Sequence, residues 1–309
     1  MVGDLALFGG PPYFESPLYV GRPNIGDRSA LHARIDEALD RRWLTNDGPL
    51  VQELEARIAG DLGVRHVIAV SNATVGLQIV ARAAGLQGQV IVPSFTFVAT
   101  AHALEWIGLE PVFGDIEAER LTLDAAALEP LIGPSVSGIV ATHLWGRSAD
   151  VEALTAVAQQ HGLVLLFDAA HAYGCARDGR MVGGFGQAEV FSFHATKFVN
   201  AFEGGAITTD DADFAERCRL LRNFGFQEWD YTESSGTNGK MHEASAAMAL
   251  TSLDAESDIV AVNQRNLELY DAGLRGLRGI RLHAADDRGQ CNAQHVVVRV
   301  DRSSPIGRD

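Results

Sequence analysis

Two stretches of the chain carry the pattern that decides its fold. Residues 164–171 read VLLFDAAH and residues 191–197 read FSFHATK. Each begins with apolar residues typical of a buried β-strand. Asp168 closes the first apolar run, and Lys197 follows the second, 29 residues later and just before a Gly-rich turn. The two stretches therefore predict two strands that each lead into one chemically reactive side chain.

The same kind of apolar run recurs on both sides of these stretches and alternates with helical patterns. This alternation is typical of an α/β domain, in which helices cover both faces of a mostly parallel central sheet. The predicted strands are residues 67–70, 89–92, 111–113, 138–142, 164–167, 189–193 and 206–209. The predicted helices are residues 30–42, 50–62, 74–84, 100–107, 125–131, 150–161 and 211–223.

The two ends of the chain depart from this pattern. Four prolines between residues 11 and 23 indicate an irregular N-terminal arm, and residues 241–277 read as two long helices. Residues 293–300 alternate like a strand of a second domain that has few partners before the chain ends, which favours a fragment of a longer protein. We expect an arm at residues 1–17, a large domain at 18–255 and the beginning of a small, truncated C-terminal α/β domain at 256–309.

Composition limits the function further. The 309 residues include 25 basic and 40 acidic side chains, a net charge of −15 without any basic block, which argues against nucleic acid as a partner. Residues 1–10 lack signal-peptide features, and no apolar run approaches the roughly 18 residues of a membrane span. We expect a cytoplasmic protein. Cys175, Cys218 and Cys291 show neither a disulfide framework nor metal-binding spacing, which predicts reduced thiols and no metal.

The amine and the carboxylate at the strand ends are the pair that pyridoxal phosphate (PLP) requires. A lysine amine condenses with the aldehyde of this cofactor, and a buried carboxylate keeps a proton on its pyridine nitrogen. Burial would lower the pKa of Lys197 and favour the neutral, nucleophilic amine. A carboxylate that closes a buried strand, as Asp168 does, must cap a helix or pair with a cation. We predict that both residues hold PLP.

Five motifs then occur in the order found in one known family. They are SNAT at residues 71–74, PSFTF at 93–97, DAAH at 168–171, SFHATK at 192–197 and GTNGKM at 236–241. Residues 17–300 resemble the DegT/DnrJ/StrS family of PLP-dependent nucleotide-sugar aminotransferases. The resemblance implies the fold type I aminotransferase architecture and a homodimer with shared active sites. Members usually continue with further elements of the small domain.

The resemblance also implies which residues contact the cofactor ring. Lys197 attaches the cofactor, Asp168 pairs with the pyridinium, and Phe97 stacks on the ring. His171 bonds the phenolic oxygen. Without the family, a satisfied core histidine is a serious alternative for His171, and a core position is the simpler interpretation of Phe97.

The phosphate group of PLP has its own predicted partners. By resemblance, Ala73 and Thr74 hold it with help from Ser192, and Asn238 reaches it from the neighbouring subunit. Residues 71–74 lie between a strand and a helix, where amides and hydroxyls are available to an anion, although such a loop is more often only a helix cap. Alternation along the strand turns Ser192 away from the face of its phenylalanine neighbours.

The implied reaction transfers an amino group from an amino-acid donor, glutamate by resemblance, to a keto-deoxyhexose linked to a nucleotide. Residues 93–100 look more like members that act at C4 of dTDP-4-keto-6-deoxyglucose than like 3-keto sugar aminotransferases, which more often have Tyr at position 97. Two further alternatives remain, a PLP-dependent sugar dehydratase and a non-catalytic regulatory protein. Lys197 argues against the dehydratase, in which histidine replaces the lysine, and an intact set of Asp168, Ser192 and Lys197 argues against the regulatory protein.

Overall fold

Helices and strands follow each other along the chain as the sequence predicts. The computed structural model describes residues 10–19, 21–228, 230–283 and 289–304. Two helices come first, α1 (Arg28–Arg41) and α2 (Pro49–Leu62). The central part contains β1 (His66–Val70), α3 (Ala73–Ala83), β2 (Gln89–Pro93), α4 (Ala99–Trp106), β3 (Glu110–Gly114), β4 (Val136–Thr142), α5 (Val151–His161), β5 (Val164–Asp168), β6 (Ala176–Arg177), β7 (Arg180–Met181), β8 (Ala188–Ser192), β9 (Gly205–Thr209) and α6 (Ala212–Arg222). The remaining elements are β10 (Phe226–Glu228), β11 (Tyr231–Thr232), α7 (Glu243–Asp254), α8 (Glu256–Leu274), β12 (Ile280–Leu282), β13 (Gly289–Gln290) and β14 (Val298–Val300).

Seven strands form the central sheet, in the order β1-β9-β8-β5-β4-β2-β3. β9 runs antiparallel to both of its neighbours, and the other six strands run in one direction. Asp168 lies opposite Thr142 of β4 and Val190 of β8. The carboxyl ends of β4, β5 and β8 therefore meet at one edge of the sheet. The predicted α/β fold is confirmed, and each of the seven predicted strands is present within two residues.

The sheet is buried on both faces, as a mostly parallel sheet must be. Along β5, Leu165 and Phe167 belong to one apolar cluster and Leu166 to the other. Helices α2, α5 and α7 supply the first cluster, while α3, α4 and α6 supply the second. Strand residues of alternating orientation thus hold helices on both sides and leave the strand ends free for polar side chains.

Local signals fix the helix boundaries. Asp27, Asp150 and Asp211 precede α1, α5 and α6, and each side chain accepts a hydrogen bond from a first-turn amide. Gly63 and Gly162 end α2 and α5 with φ angles of 67° and 62°, a left-handed conformation that glycine adopts without a steric penalty. The boundaries of these helices are therefore determined largely by residues within or next to each helix.

The predicted helix at residues 125–131 is wrong. Two separate 3₁₀ turns, Ala125–Ala127 and Glu129–Leu131, replace it. Pro130 lies at the start of the second turn. Because proline lacks an amide hydrogen and clashes with the preceding turn, an α-helix could not continue through this position.

The strand predicted at residues 293–300 is only partly confirmed. The structure limits it to Val298–Val300, which pairs antiparallel with β12. Ala293 has a φ angle of 52°, outside the extended region that a strand requires. The side chains of Asn292 and Gln294, on either side of Ala293, donate hydrogen bonds to the carbonyls of His171 and Thr196, and neither residue belongs to a strand.

The C-terminal helices match the two predicted at residues 241–277, although α8 has no buried residue. In the predicted arm, residues 10–19 contain no helix or strand, and residues 1–9 lie outside the described part, as do the last five residues of the chain. The domain boundaries at residues 17 and 255 stay predictions.

Among the helices described, none is both long enough and apolar enough to cross a membrane.

Candidate active site

A cavity of about 700 Å³ opens at the carboxyl edge of the sheet. Its volume lies in the usual range of small-molecule sites, roughly 300–1,000 Å³. The walls are formed by the ends of β4, β5 and β8, the first turn of α3 and the loop after β8. The sequence-predicted site residues that line it are Ala73, Thr74, Phe97, Asp168, His171, Ser192 and Lys197. Asn238 is not among the lining residues.

Asp168 lies at the bottom of this cavity and is only 4% exposed. Its Oδ2 accepts a hydrogen bond from the Thr100 hydroxyl at 2.7 Å, and its Oδ1 accepts one from the Ala170 amide at 3.0 Å. Burial raises the pKa of the carboxyl group above its usual value, although these hydrogen bonds and the charge of Lys197 oppose the change. A cation placed against Asp168 would therefore stabilise its ionised form.

Lys197 reaches the same cavity from the loop after β8. The neighbouring Phe198 and Val199 are buried in the core, and the amide of Lys197 donates a hydrogen bond to the His194 carbonyl at 2.8 Å. Burial lowers the pKa of the Lys197 amine, while the charge of Asp168 opposes this effect. The loop thus holds a partly buried amine whose neutral form is favoured, which is the form that attacks a carbonyl.

His171 is partly exposed in the cavity wall. The Trp145 amide donates a hydrogen bond to His171 Nδ1 at 3.3 Å, so the ring carries its proton on Nε2. Burial, the charge of Lys197 and the nearby His295 lower the pKa of His171 to about 3. His171 is therefore a neutral ring that can donate a hydrogen bond through Nε2 at physiological pH.

The first turn of α3 forms the polar end of the cavity. Asn72 caps the helix, because its Oδ1 accepts a hydrogen bond from the Val75 amide at 2.9 Å. The amides of Ala73 and Thr74 lack an intrahelical acceptor, and the positive end of the helix dipole lies at the same place. A Cβ on Gly205 would lie 2.9 Å from the Ala73 nitrogen, so β9 can pass this close to the helix only as glycine. This turn can bind an anion such as a phosphate.

Two predicted residues lie at or beyond the rim. The Phe97 side chain is 68% exposed beside the cavity, so the core alternative does not describe it. Asn238 is exposed, and its backbone forms an isolated antiparallel bridge with Asn223. Within one chain, Asn238 does not reach the cavity that the other seven residues line.

The sequence analysis missed a chain of hydroxyl groups behind Asp168. The Thr96 hydroxyl lies 2.9 Å from that of Thr100 and 3.1 Å from that of Thr142, and Thr100 in turn bonds Asp168. Thr100 and Thr142 are buried. The signal in the sequence was the presence of threonines at the ends of two predicted segments, but nothing local indicates that they meet.

The segment at residues 292–295 was also missed as part of the site. The Asn292 side chain donates hydrogen bonds to the carbonyls of His171 at 2.9 Å and Tyr173 at 3.0 Å. The Gln294 side chain accepts from the Phe198 amide and donates to the Thr196 carbonyl. The ring of His295 lies 4.7 Å from that of His171. The sequence signal that could have indicated their role was the presence of Asn292, Gln294 and His295 within a stretch that otherwise resembles a strand.

Comparisons with known proteins agree with this geometry. Residues 27–309 match the DegT/DnrJ/EryC1/StrS aminotransferase family, and the chain belongs to that family. It is 33% identical over 296 residues to dTDP-4-amino-4,6-dideoxy-D-glucose transaminase of Shigella dysenteriae, a match that covers 96% of this chain and 80% of that protein. It is 35% identical over 245 residues to GDP-perosamine synthase of Caulobacter vibrioides, covering 78% and 66% of the two chains.

A solved structure resembles the whole described fold. It is DesI, determined in the presence of its TDP-sugar product, with a TM-score of 0.93 and 54% sequence identity. The match covers 97% of this chain and 77% of the DesI chain. Family members are PLP-dependent aminotransferases, so the predicted fold, enzyme class and cofactor are confirmed.

The residues present fit PLP. A buried carboxylate with a raised pKa can pair with a pyridinium, a partly buried amine can hold an aldehyde, and the first turn of α3 can bind a phosphate. All three lie in one cavity.

Replacing Asp168 with Asn should separate apoprotein stability from cofactor binding. Burial raises the pKa of the Asp168 carboxyl group in the folded protein above the value of about 3.9 that it has in the unfolded chain. Between these two pKa values the folded protein binds more protons than the unfolded chain, so the free energy of unfolding falls as pH rises through that range. We expect the apo D168N variant to resist urea at pH 7 at least as well as the parent. Its PLP affinity should fall by more than about 100-fold, since breaking a buried charge pair costs about 3 kcal/mol or more.

The control for this experiment is Asp40→Asn on the exposed end of α1, which should change neither quantity. A D168N apoprotein that is clearly less stable than the parent, yet binds PLP with unchanged affinity, would contradict the assignment.

Proposed function

We propose that this aminotransferase transfers an amino group from glutamate to a 4-keto-6-deoxyhexose linked to dTDP, giving a 4-amino-4,6-dideoxy sugar. The observation that carries the proposal is the convergence of Lys197, Asp168 and the first turn of α3 in one cavity. The substrate assignment is supported by 54% identity to DesI and, more loosely, by 33% identity to the Shigella dysenteriae transaminase.

Lys197 is our candidate for covalent cofactor attachment. The chain contains only one other lysine, Lys240. The Lys240 amine donates a hydrogen bond to Asn223 Oδ1 at 2.9 Å, lies over the ring of Phe224 and does not line the cavity. Burial lowers the pKa of Lys197 and so shifts the amine toward the neutral form that attachment requires.

Each polar side chain that lines the cavity would have a separate role toward the bound cofactor. PLP, when bound, withdraws electrons from the carbon attached to the transferred nitrogen. The Lys197 amine would hold the aldehyde of the cofactor and, when free, could carry a proton to or from the reacting carbon. Asp168 would keep the pyridine nitrogen protonated, and Thr100 holds the carboxylate in place. His171 would donate a hydrogen bond through its Nε2–H to the phenolic oxygen, because Nδ1 already accepts one from the Trp145 amide.

The remaining residues position the cofactor. The amides of Ala73 and Thr74 and the Ser192 hydroxyl bind the phosphate at the positive end of α3. Phe97, exposed at the rim, stacks on the ring. Asn238 lies outside the cavity of its own chain, so it would contact a phosphate only in the cavity of a partner subunit, within a homodimer.

A second candidate is the same reaction on a sugar linked to GDP. It is supported by 35% identity to GDP-perosamine synthase. Both nucleotides therefore belong in one experiment.

The holoenzyme should aminate dTDP-4-keto-6-deoxyglucose in the presence of glutamate. Mass spectrometry would identify the product, and NMR would place the new amine at C4. The matched controls omit glutamate, replace dTDP with GDP, or offer a 3-keto isomer. Amination of only the GDP-linked or the 3-keto substrate would reject the proposed substrate and retain the enzyme class, while failure with every sugar would favour a non-catalytic role.

Reduction of the holoenzyme with borohydride should fix PLP to Lys197 alone. The expected result is a single modified peptide that contains residue 197, because Lys240 lies outside the cavity. Lys197→Ala should lose the label and reduce turnover by about 10⁴-fold or more, since nucleophile and proton carrier are lost together. Lys240→Arg is the matched control and should keep both. Modification of residue 240 instead would overturn the assignment.

Mixed dimers test the predicted role of Asn238. We expect Lys197→Ala and Asn238→Ala homodimers each to be strongly impaired. If Asn238 acts in the partner's site, random mixing of the two variants restores about a quarter of the parent activity, because half of the dimers then carry one intact site. Recovery to this level after unfolding and refolding the mixture supports a shared site. An active N238A homodimer, or a mixture without recovery, would contradict it.

A further inference from the structure

Two cysteines that are far apart in the chain lie opposite each other beside the cavity. β13 pairs antiparallel with β6, and the last residues matched are Gln290 and Ala176. The next pair in this register is Cys291 opposite Cys175. Opposed residues of antiparallel strands have Cα atoms about 4.5–5.5 Å apart, which falls within the roughly 4.4–6.8 Å that disulfides span. The backbone therefore already places the two residues at bonding distance.

Both sulfur atoms also pack against Gly146. A Cβ on this glycine would lie 3.1 Å from the sulfur of Cys291 and 3.3 Å from that of Cys175. Gly146 has a φ angle of 78°, which a larger residue rarely adopts. The Cys175 thiol donates a hydrogen bond to the Tyr173 carbonyl at 3.8 Å, and the Cys291 thiol donates one to the Trp145 carbonyl at 3.9 Å. The glycine thus leaves the space in which the two side chains touch.

The two thiols differ in reactivity. Cys175 is 1% exposed, and the adjacent Cys291 side chain together with burial raises its pKa. The adjacent Cys175 side chain lowers the pKa of Cys291 to about 6 despite burial, helped by the Ala293 amide at 3.4 Å and the charge of Arg147. Cys291 is only partly buried. The thiolate form of Cys291 is therefore favoured over that of Cys175, and a small reagent can reach it more easily.

A small cavity lies beside Cys291. It has a volume of about 10 Å³, the size of one water molecule, and Gly146 and Arg147 also line it. In the described part of the chain, no group of three or more His, Cys, Asp or Glu side chains is arranged to hold a metal ion.

We propose that Cys175 and Cys291 form a reversible oxidation site that a small hydroperoxide, such as hydrogen peroxide, converts to a disulfide. The Cys291 thiolate attacks one peroxide oxygen, the O–O bond breaks, and the hydroxide that leaves takes up a proton to become water. The Cys175 sulfur then attacks the resulting sulfenic acid. The S–S bond forms as the S–O bond breaks, and the Cys175 proton leaves with the oxygen as a second water. Two electrons pass from the thiols to the peroxide.

The disulfide would fix one wall of the active site. Asn292, next to Cys291, bonds the His171 carbonyl, and Gln294 bonds the loop that carries Lys197. A link between residues 175 and 291 joins this segment covalently to β6. Because the link also closes a long loop, it restricts the unfolded chain and raises thermal stability.

The test uses purified holoenzyme treated with an equimolar amount of hydrogen peroxide, then alkylated and digested. We expect mass spectrometry to find peptides that contain residues 175 and 291 joined by a disulfide within one chain. Dithiothreitol should reverse the link, and the thermal unfolding midpoint should rise by about 5 °C while it is present. Cys291 recovered unmodified, or only as sulfinic acid, or linked only between chains, would overturn the proposal.

Three variants make the test specific. Cys175→Ser and Cys291→Ser should each lose the link and the thermal shift. Cys218→Ser is the matched control and should keep both, because burial on the inner face of α6 raises the pKa of the Cys218 thiol to about 12 and keeps it unreactive. The parent protein alone carries the decisive mass measurement, so a variant that folds poorly does not weaken the result. A thermal shift that persists in C291S would contradict the proposed pair.

Discussion

The rest of this site depends on one constraint, the burial of a carboxylate and an amine in the same cavity. Burial raises the pKa of Asp168 and lowers that of Lys197, so each group is held in an environment that disfavours its charged form. The attraction between them offsets only part of this cost. A ligand that brings a cationic ring nitrogen to the carboxylate and an aldehyde to the amine stabilises both groups, which is why the pair suits PLP.

The sheet provides the positions that this pair needs. Parallel strands end at one edge, so the register that sets Asp168 opposite Thr142 also brings the end of β8 and the loop with Lys197 alongside. Thr100 supplies the shortest hydrogen bond to the carboxylate from the start of α4. The free amides of α3 complete the set at the same edge. A single architectural feature thus collects an acid, an amine and an anion site from separate parts of the chain.

The C-terminal segment links this site to the rest of the molecule. Asn292 and Gln294 contact the loops that carry His171 and Lys197, and the short pairing of β13 with β6 holds the segment in place. The same pairing aligns Cys175 with Cys291. A covalent change at these thiols would therefore act on the wall of the active site through backbone that is already in contact with it.

The sequence by itself determined the α/β alternation, most helix and strand boundaries, the PLP pair and, through its motifs, seven residues of one cavity. These features are local, since apolar periodicity, capping residues and short motifs depend on neighbours in the chain. It did not predict the break at Pro130, the contacts of residues 292–295, the threonine hydroxyls behind Asp168 or the alignment of the two cysteines. The break at Pro130 is local, because the sequence already contains the proline that interrupts the helix. The other three features arise only when segments more than a hundred residues apart, or adjacent strands of the sheet, come together, and register between such segments is a property of the tertiary structure.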